Sequence, residues 1–311
     1  MIRRSDPSTV SWLGIALRWR GSVIPTVMPR TLICGVFAAF VSLLHFYGLP
    51  VHMPILASVI PNVVLGLMLV FRTNTAYERF WEGRRLWGGI ISSVRNLSRQ
   101  IWVGVQEKSP KDRAGKVSAL YLLVAFAIAT KLHLRQETLD AEIEMVLPSD
   151  RLNELKMLNN PPLEIALWIQ DYLQQQQIGD RLSLFHLTAM QQHLNVMVES
   201  LSGCERIIRT PIPLAYAIHL KQLLLIYCFT IPFQFVKDLG PWTAPVVMLV
   251  AFTLFGIEAI GLEIENPFGR DANDLPLDTI CETMKRNIDD LVQVSPVSPK
   301  LNLLQEELSD F

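Results

Sequence analysis

From Thr31 to Phe71 the chain carries not one Asp, Glu, Lys or Arg. A single tilted membrane crossing uses about 20 apolar residues, so this one stretch has room for two spans joined by a short link. A second apolar bunch runs from Pro213 to Val236, broken only by Lys221, and a third from Leu239 to Ile257 is again uncharged. These make spans three and four, and they decide the class: an all-α membrane protein. Hydrophobic residues make up 50% of the chain and charged ones only 18%, a balance that excludes two ordinary soluble domains of the same length. The segment 117–130 is also apolar, but it is short for a crossing and reads as a helix buried in protein.

The basic residues orient the spans. Arg18, Arg20 and Arg30 precede span one, and Arg72, Arg79, Arg84 and Arg85 follow span two. Arg206 and Arg209 precede span three, and Arg270, Lys285 and Arg286 follow span four, whereas the link 47–54 has no Lys or Arg. The positive-inside tendency therefore places both termini in the cytoplasm. The expected organisation is an interfacial N-terminal segment (1–30), spans one and two (31–71), a cytoplasmic helical region (72–209), spans three and four (210–262), and a cytoplasmic C-terminal helix and tail (263–311). Trp12 and Trp19 among Arg residues suit a helix lying in the membrane interface.

Strand signals are scarce inside the cytoplasmic part, and helix signals are plentiful. Ser149 and Asp150 are placed to cap a short helix, Pro161 and Pro162 to open another that Gly179 ends, and a long pattern follows Asp180 as far as Ser202. Leu184, Leu187, Met190, Leu194, Met197 and Leu201 recur at helical spacing, which describes a packed face. The tail from Ser295 is a Pro/Ser linker and a short amphipathic piece with no assigned role.

Several chemistries are set aside. A formal net charge of -1 excludes a strongly basic nucleic-acid binder. Cys34, Cys204, Cys228 and Cys281 form no CxxC pair, so neither a zinc site nor a disulfide framework is expected. His186 and His193 can share a helix face around Met190 but lack further ligands. Glu78 and Glu82 lie one turn apart, and their neutralisation by Arg79, Arg84 and Arg85 is more economical than acid-base catalysis. Lys221 and Glu258, costly against lipid, are expected to pair or to reach the interface.

The stretch Ile60 to Gly88, "IPNVVLGLMLVFRTNTAYERFWEGRRLWG", begins as a span and continues without a Pro or Gly pair into Arg, Glu and aromatic residues. As one helix it would be about 43 Å long, against about 30 Å of hydrocarbon, so it must project beyond the bilayer. Val63, Leu67 and Phe71 fall at i, i+4 and i+8 on one stripe. Pattern alone favours packing for such a stripe; a ring of apolar side chains that gates ions by dewetting is the alternative.

"FRTNTAYERFWEGRRLWG", "RTPIPLAY" at Arg209 to Tyr216 and "NPFGRDANDLPLD" at Asn266 to Asp278 together resemble the bestrophin family, in its bacterial and plant-plastid branch. The resemblance covers nearly the whole chain. It implies a homopentamer with four spans per subunit around one central ion pathway, passing small monovalent anions such as chloride, with bicarbonate a further candidate. Through the match around Arg79, Phe80 and Trp81, it assigns the pore neck to Val63, Leu67 and Phe71. A second constriction is expected toward the cytosol, with Ile178 and Leu182 as candidates.

Where animal relatives carry an acidic calcium clasp, Asp271 and Asp274 match but Arg270, Ala272 and Asn273 replace the rest. Six to eight oxygens are wanted by calcium, so a turn-forming role is favoured, with Asp278 capping a helix from Thr279. No cofactor is expected. The expected partners are other copies of the chain, the lipid bilayer and permeating inorganic ions. A cation-selective pore of the same fold is the nearest rival; a membrane enzyme using Glu78, Glu82 and the two histidines, and a non-conducting scaffold, are the others. The absence of a transit peptide points to a bacterial inner membrane, with a cyanobacterial cell or its thylakoid included.

Overall fold

The computed structural model describes residues 21–53, 59–139 and 141–293, with 12, 14, 18 and 19 from the N-terminal segment. Most of the interfacial helix expected before Arg30, and the tail from Ser295, lie outside the described residues. Every regular element among the described residues is a helix. The chain divides into two compact units, one of residues 1–83 and 207–275, the other of 84–206 and 276–311.

In the first unit, α1 (Ile24–Phe46) opens on Pro25 and ends at Tyr47 before Gly48, whose φ of 81° stops the helix. Next comes α2 (Val59–Gly104), a helix of 46 residues whose first part, to Gly83, belongs to this unit. The sequence register predicts continuity to Gly88; the helix keeps it for sixteen residues more.

The other two helices of this unit are α8 (Leu214–Leu239) and α9 (Thr243–Ile264), joined through a single 3-10 turn at Gly240–Trp242. Gly240 takes φ 50°, open to glycine at no steric cost. Leu220, Leu224, Cys228 and Ile231 of α8 pack with Val247, Ala251, Phe255 and Ala259 of α9, with Val27, Cys34 and Ala38 of α1, and with Leu65 and Leu69 of α2. Those spacings of three and four put one stripe of each helix into a common core. α1 and α9 come so close that a Cβ on Gly35 would stand 2.4 Å from Met248 Cγ.

The second unit is built from the remainder of α2 with α3 (Pro110–Arg135), α4 (Ala141–Glu144), α5 (Ser149–Lys156), α6 (Pro161–Ile178), most of α7 (Leu184–Arg209) and α10 (Leu277–Gln293). From Leu123 to Leu132 every residue of α3 is buried, Lys131 included. That helix is therefore the axle of the unit. Ile165, Ile169 and Leu173 of α6 and Cys281, Met284 and Ile288 of α10 are buried on the two helices that pack against it. Gly89 and Gly203 mark the close approach of α2 and α7: a Cβ on Gly89 would meet Ser200 Oγ at 2.9 Å, and one on Gly203 would meet Leu86.

Three local expectations change. The cap of α5 is Pro148, with no side-chain hydrogen bond, so Ser149 is its first helical residue. α7 starts at Leu184, and that leucine is exposed, so the packed stripe begins one turn later at Leu187. Asp278 is not a cap, because α10 already includes Leu277 and the Asp278 carboxylate accepts from Arg135 and Lys131 instead. The Asn160 side chain, by contrast, caps α6 by accepting from Leu163 N, a signal that the Pro pair overshadows.

Candidate functional site: an uncovered apolar face above an arginine belt

The first unit leaves one face of α2 uncovered. Val63, Leu67 and Phe71 are 54%, 50% and 61% exposed, whereas Leu65 and Leu69 are buried in the core. Val64 and Val70 extend the same exposed apolar surface. At Phe71 the uncharged run ends, and the next residue inverts the pattern: Arg72 is 2% exposed.

Arg72 is buried together with a carboxylate that answers its charge. Its Nη1 donates to Glu258 Oε1 at 3.0 Å, and Glu258 is itself 1% exposed. Nη2 lies 3.8 Å from Glu265, and Arg30 reaches the other oxygen of Glu258 at 3.6 Å. Glu258 therefore pairs with arginines and not with Lys221, which lies exposed. The sequence offered no signal for that partner, since the two residues are 186 positions apart.

Two turns further along the helix, Arg79 does not neutralise Glu78 or Glu82. Its Nη2 donates to the carbonyl of Ile207 at 2.6 Å, Nη1 to that of Thr210, and Nε to that of Glu265 at 3.2 Å. Ile207 lies in the last turn of α7, and Glu265 closes α9. A single planar guanidinium thus caps two helix C-termini, where orphan carbonyls and the negative end of the dipole both favour a cation. Glu78 instead accepts from Asn74.

The blocks that carried the resemblance meet around these arginines. "RTPIPLAY" supplies the Thr210 carbonyl, the Ile212 N–H that donates to Glu265 Oε1, and the Tyr216 hydroxyl that donates to the Met68 carbonyl. In "NPFG", Asn266 Oδ1 accepts from Phe268 N, and the Pro267 carbonyl accepts from Leu275 N at 2.9 Å. Gly83 of α2 sits under that turn, where a Cβ would come 2.9 Å from Pro267 Cγ and 3.0 Å from the Phe268 ring.

Asp271 and Asp274 form a turn: Asp271 N donates to Asp274 Oδ2 at 2.7 Å, and Asp274 N donates to the Asp271 carbonyl. Asp274 is buried and Asp271 exposed. No cluster of three or more metal-ligating side chains occurs among the described residues, at this turn or at His186 and His193. The other two candidates lie in the second unit, with Ile178 72% exposed at the end of α6 and Leu182 buried against a cavity shared with Arg99 and His186.

A family profile described as Bacterial/Fungal Bestrophin protein matches residues 1–290. The chain belongs to the bestrophin family. Among its relatives, a voltage-dependent anion channel-forming protein of a Nostoc species is 62% identical over 92% of this chain and 93% of its own length. A protein of the same description from Synechocystis is 56% identical over the same shares. The crystal structure of a bacterial bestrophin homologue from Klebsiella pneumoniae superposes with a TM-score of 0.78 at 28% identity, covering 87% of this chain and all of that one. Among the described residues, three helical stretches of this bestrophin are long and apolar enough to cross a membrane: Ile24–Phe46, Pro110–Arg135, and Leu214–Ile264, which holds both α8 and α9. The second of these has 72% of its apolar window buried inside the protein.

Proposed function

We propose that this bestrophin is an anion channel, a homopentamer in which each subunit contributes four spans and the apolar face of α2 lines a narrow neck. The observation that carries the reading is the uncovered stripe Val63, Leu67 and Phe71 on a helix that continues past the apolar run as far as Gly104. At about 1.5 Å per residue, such a helix exceeds the hydrocarbon thickness more than twofold. Copies of it arranged about an axis would prolong the conduit well into the cytoplasm, where Ile178 or Leu182 would form the second constriction.

The relatives described as anion channel-forming proteins support the sign of the permeant ion. Chloride is the expected ion, with bicarbonate a second. A neck without formal charge discriminates by the cost of stripping water, so selectivity among monovalent anions would be weak. In this reading α3 stays in the cytoplasm despite its apolar composition, because its surface is already used by protein, and both termini are cytoplasmic. The membrane is a bacterial inner membrane or a thylakoid. Neither catalysis nor calcium enters the mechanism: the Asp271–Asp274 pair serves as a turn.

Reversal potentials of the purified protein in a planar bilayer under a salt gradient test the proposal. A reversal near the chloride equilibrium potential supports it. A reversal near the cation potential would establish the cation-selective alternative, and absence of current would leave a scaffold.

A further inference from the structure

The surface that α2 leaves uncovered does not end with the apolar stripe. Phe71, Glu78, Arg85, Ser92 and Arg99 follow one another at intervals of seven residues, and all five are exposed. A seven-residue step turns an α-helix by only about 20°, so these positions hold one slowly winding face of a single helix. Arg95 is exposed beside Arg99, one turn earlier. We infer that Arg85, Arg95 and Arg99 line the cytoplasmic mouth of the conduit and gather anions there, so that they set the sign of the ion reaching the neck. The inference rests on the anion-channel reading and adds to it the residues responsible for charge preference.

Three observations carry it. First, between Glu82 and Glu107 the chain has four arginines and no Asp, Glu or Lys. With a formal net charge of -1 over the whole chain, this is a local excess and not general basicity. Second, Arg84, Arg85, Arg95 and Arg99 are all exposed, and among the described residues none of them makes a hydrogen bond or an ion pair. Elsewhere in the second unit Arg113, Lys116, Lys131, Arg135, Arg181 and Lys285 each lie against a carboxylate. The four guanidinium groups of α2 therefore tie no elements together, and their field is spent on the solvent. Third, the opposite face of the same segment is fixed: Trp87, Ile90, Val94, Leu97 and Ile101 are buried. The core decides which way the arginines point.

An uncharged neck sorts ions by the cost of dehydration and offers no charge that prefers one sign. Copies of α2 about an axis would bring several guanidinium groups around one aqueous passage, and a cleft lined by one sign of charge raises the local concentration of counter-ions. At about 1.5 Å per residue Arg85 and Arg99 stand about 21 and 42 Å along the helix from Phe71. They act on the supply of anions and not on the barrier itself. Glu78, about 10 Å from Phe71 on the same face, works against them.

The test is planar-bilayer conductance of the full chain at about 10 mM and about 1 M KCl, between which the screening length falls from about 30 to about 3 Å. At low salt Arg85→Gln/Arg95→Gln/Arg99→Gln should lose conductance several-fold, and its reversal potential in a salt gradient should move toward zero; at high salt its conductance should match the wild type. Glu78→Gln should shift the low-salt conductance in the opposite direction. Because the three arginines have no partners to lose, the melting temperature should not change. An unaltered low-salt conductance and reversal potential, with wild-type currents still reversing at the chloride potential, would overturn the inference and leave the channel intact. A loss of equal size at both salt concentrations would also overturn it, since screening does not act on a structural defect. Wild-type currents that are absent or reverse at the cation potential would overturn the anion-channel reading and this inference with it.

Discussion

Arg72 and Glu258 stand 3.0 Å apart, nitrogen to oxygen, with 2% and 1% of their side-chain surface exposed. Two charges in so dry a place are held there chiefly by each other: removing one leaves the other buried with only a longer contact, Glu258 to Arg30 at 3.6 Å or Arg72 to Glu265 at 3.8 Å, which costs up to about 3–5 kcal/mol, whereas replacing both with apolar side chains is often close to neutral. Glu258→Gln and Arg72→Met are each expected to lower stability on that scale, and the double variant Arg72→Met/Glu258→Met to be more stable than the two single effects added together. Thermal denaturation of the detergent-solubilised protein, run as a double-mutant cycle, measures the coupling. Additive effects would mean that the pair contributes nothing beyond its separate packing.

Arg79 makes a different demand, for shape as much as for charge. Its fork reaches carbonyls of Ile207, Thr210 and Glu265 at once, and a lysine ammonium has neither the span nor the planar donor arrangement to do so. Arg79→Lys should keep the charge and still cost on the order of 2–3 kcal/mol, the worth of one or two charged hydrogen bonds. Hydrogen exchange would register the loss as faster amide exchange in residues 205–213 and at the end of α9. Unchanged protection there would show that the helix ends hold without their cap.

The neck assignment predicts a gain of conduction. If Val63, Leu67 and Phe71 form a dewetting barrier, shrinking them to Ala widens it and lowers the cost of keeping water in place. The triple Ala variant should carry at least several-fold more single-channel current than the wild type. Because these side chains are half exposed in the subunit, the substitution should leave the fold standing. Currents equal to those of the wild type would remove the three residues from the pathway.

Much of this architecture is legible in the sequence because helices advertise themselves locally. The uncharged runs, the Pro residues that open α1 and α6, and Gly179 at the end of α6 are all visible within a few positions of where they act. The apolar stripe of α2 is legible for the same reason. What stays hidden is partnership across distance. Nothing around Glu258 says that Arg72 will find it, and nothing around Arg79 says that its donors go to helix ends in place of the carboxylates beside it. Gly83 is ambiguous in the same way until Pro267 and Phe268 are seen lying against it. The resemblance to bestrophins brings the three blocks into one argument; only the fold gives the hydrogen bonds that join them.

The last prediction concerns acid. Asp278 lies in the second unit with its carboxylate between Arg135 Nη1, at 2.9 Å, and Lys131 Nζ, at 2.8 Å. Partial burial pushes its pKa upward, but hydrogen bonds from Arg135 and Lys131 and the charges of both outweigh it and hold the group at about 2. An unperturbed aspartate titrates near about 3.9. A depressed folded-state pKa means that the unfolded chain takes up the proton first, so this contribution to stability is present in full above about pH 4 and is lost as the pH falls toward about 2. Asp278→Asn should therefore unfold at a lower temperature than the wild type at pH 7, and the gap should close as the pH is lowered through that window. Lys131 keeps Glu142 as a second partner, which spares the variant an isolated buried ammonium. A difference in melting temperature that stays constant from pH 7 down to pH 2.5 would mean that the ion pairs of Asp278 are not what the substitution removes.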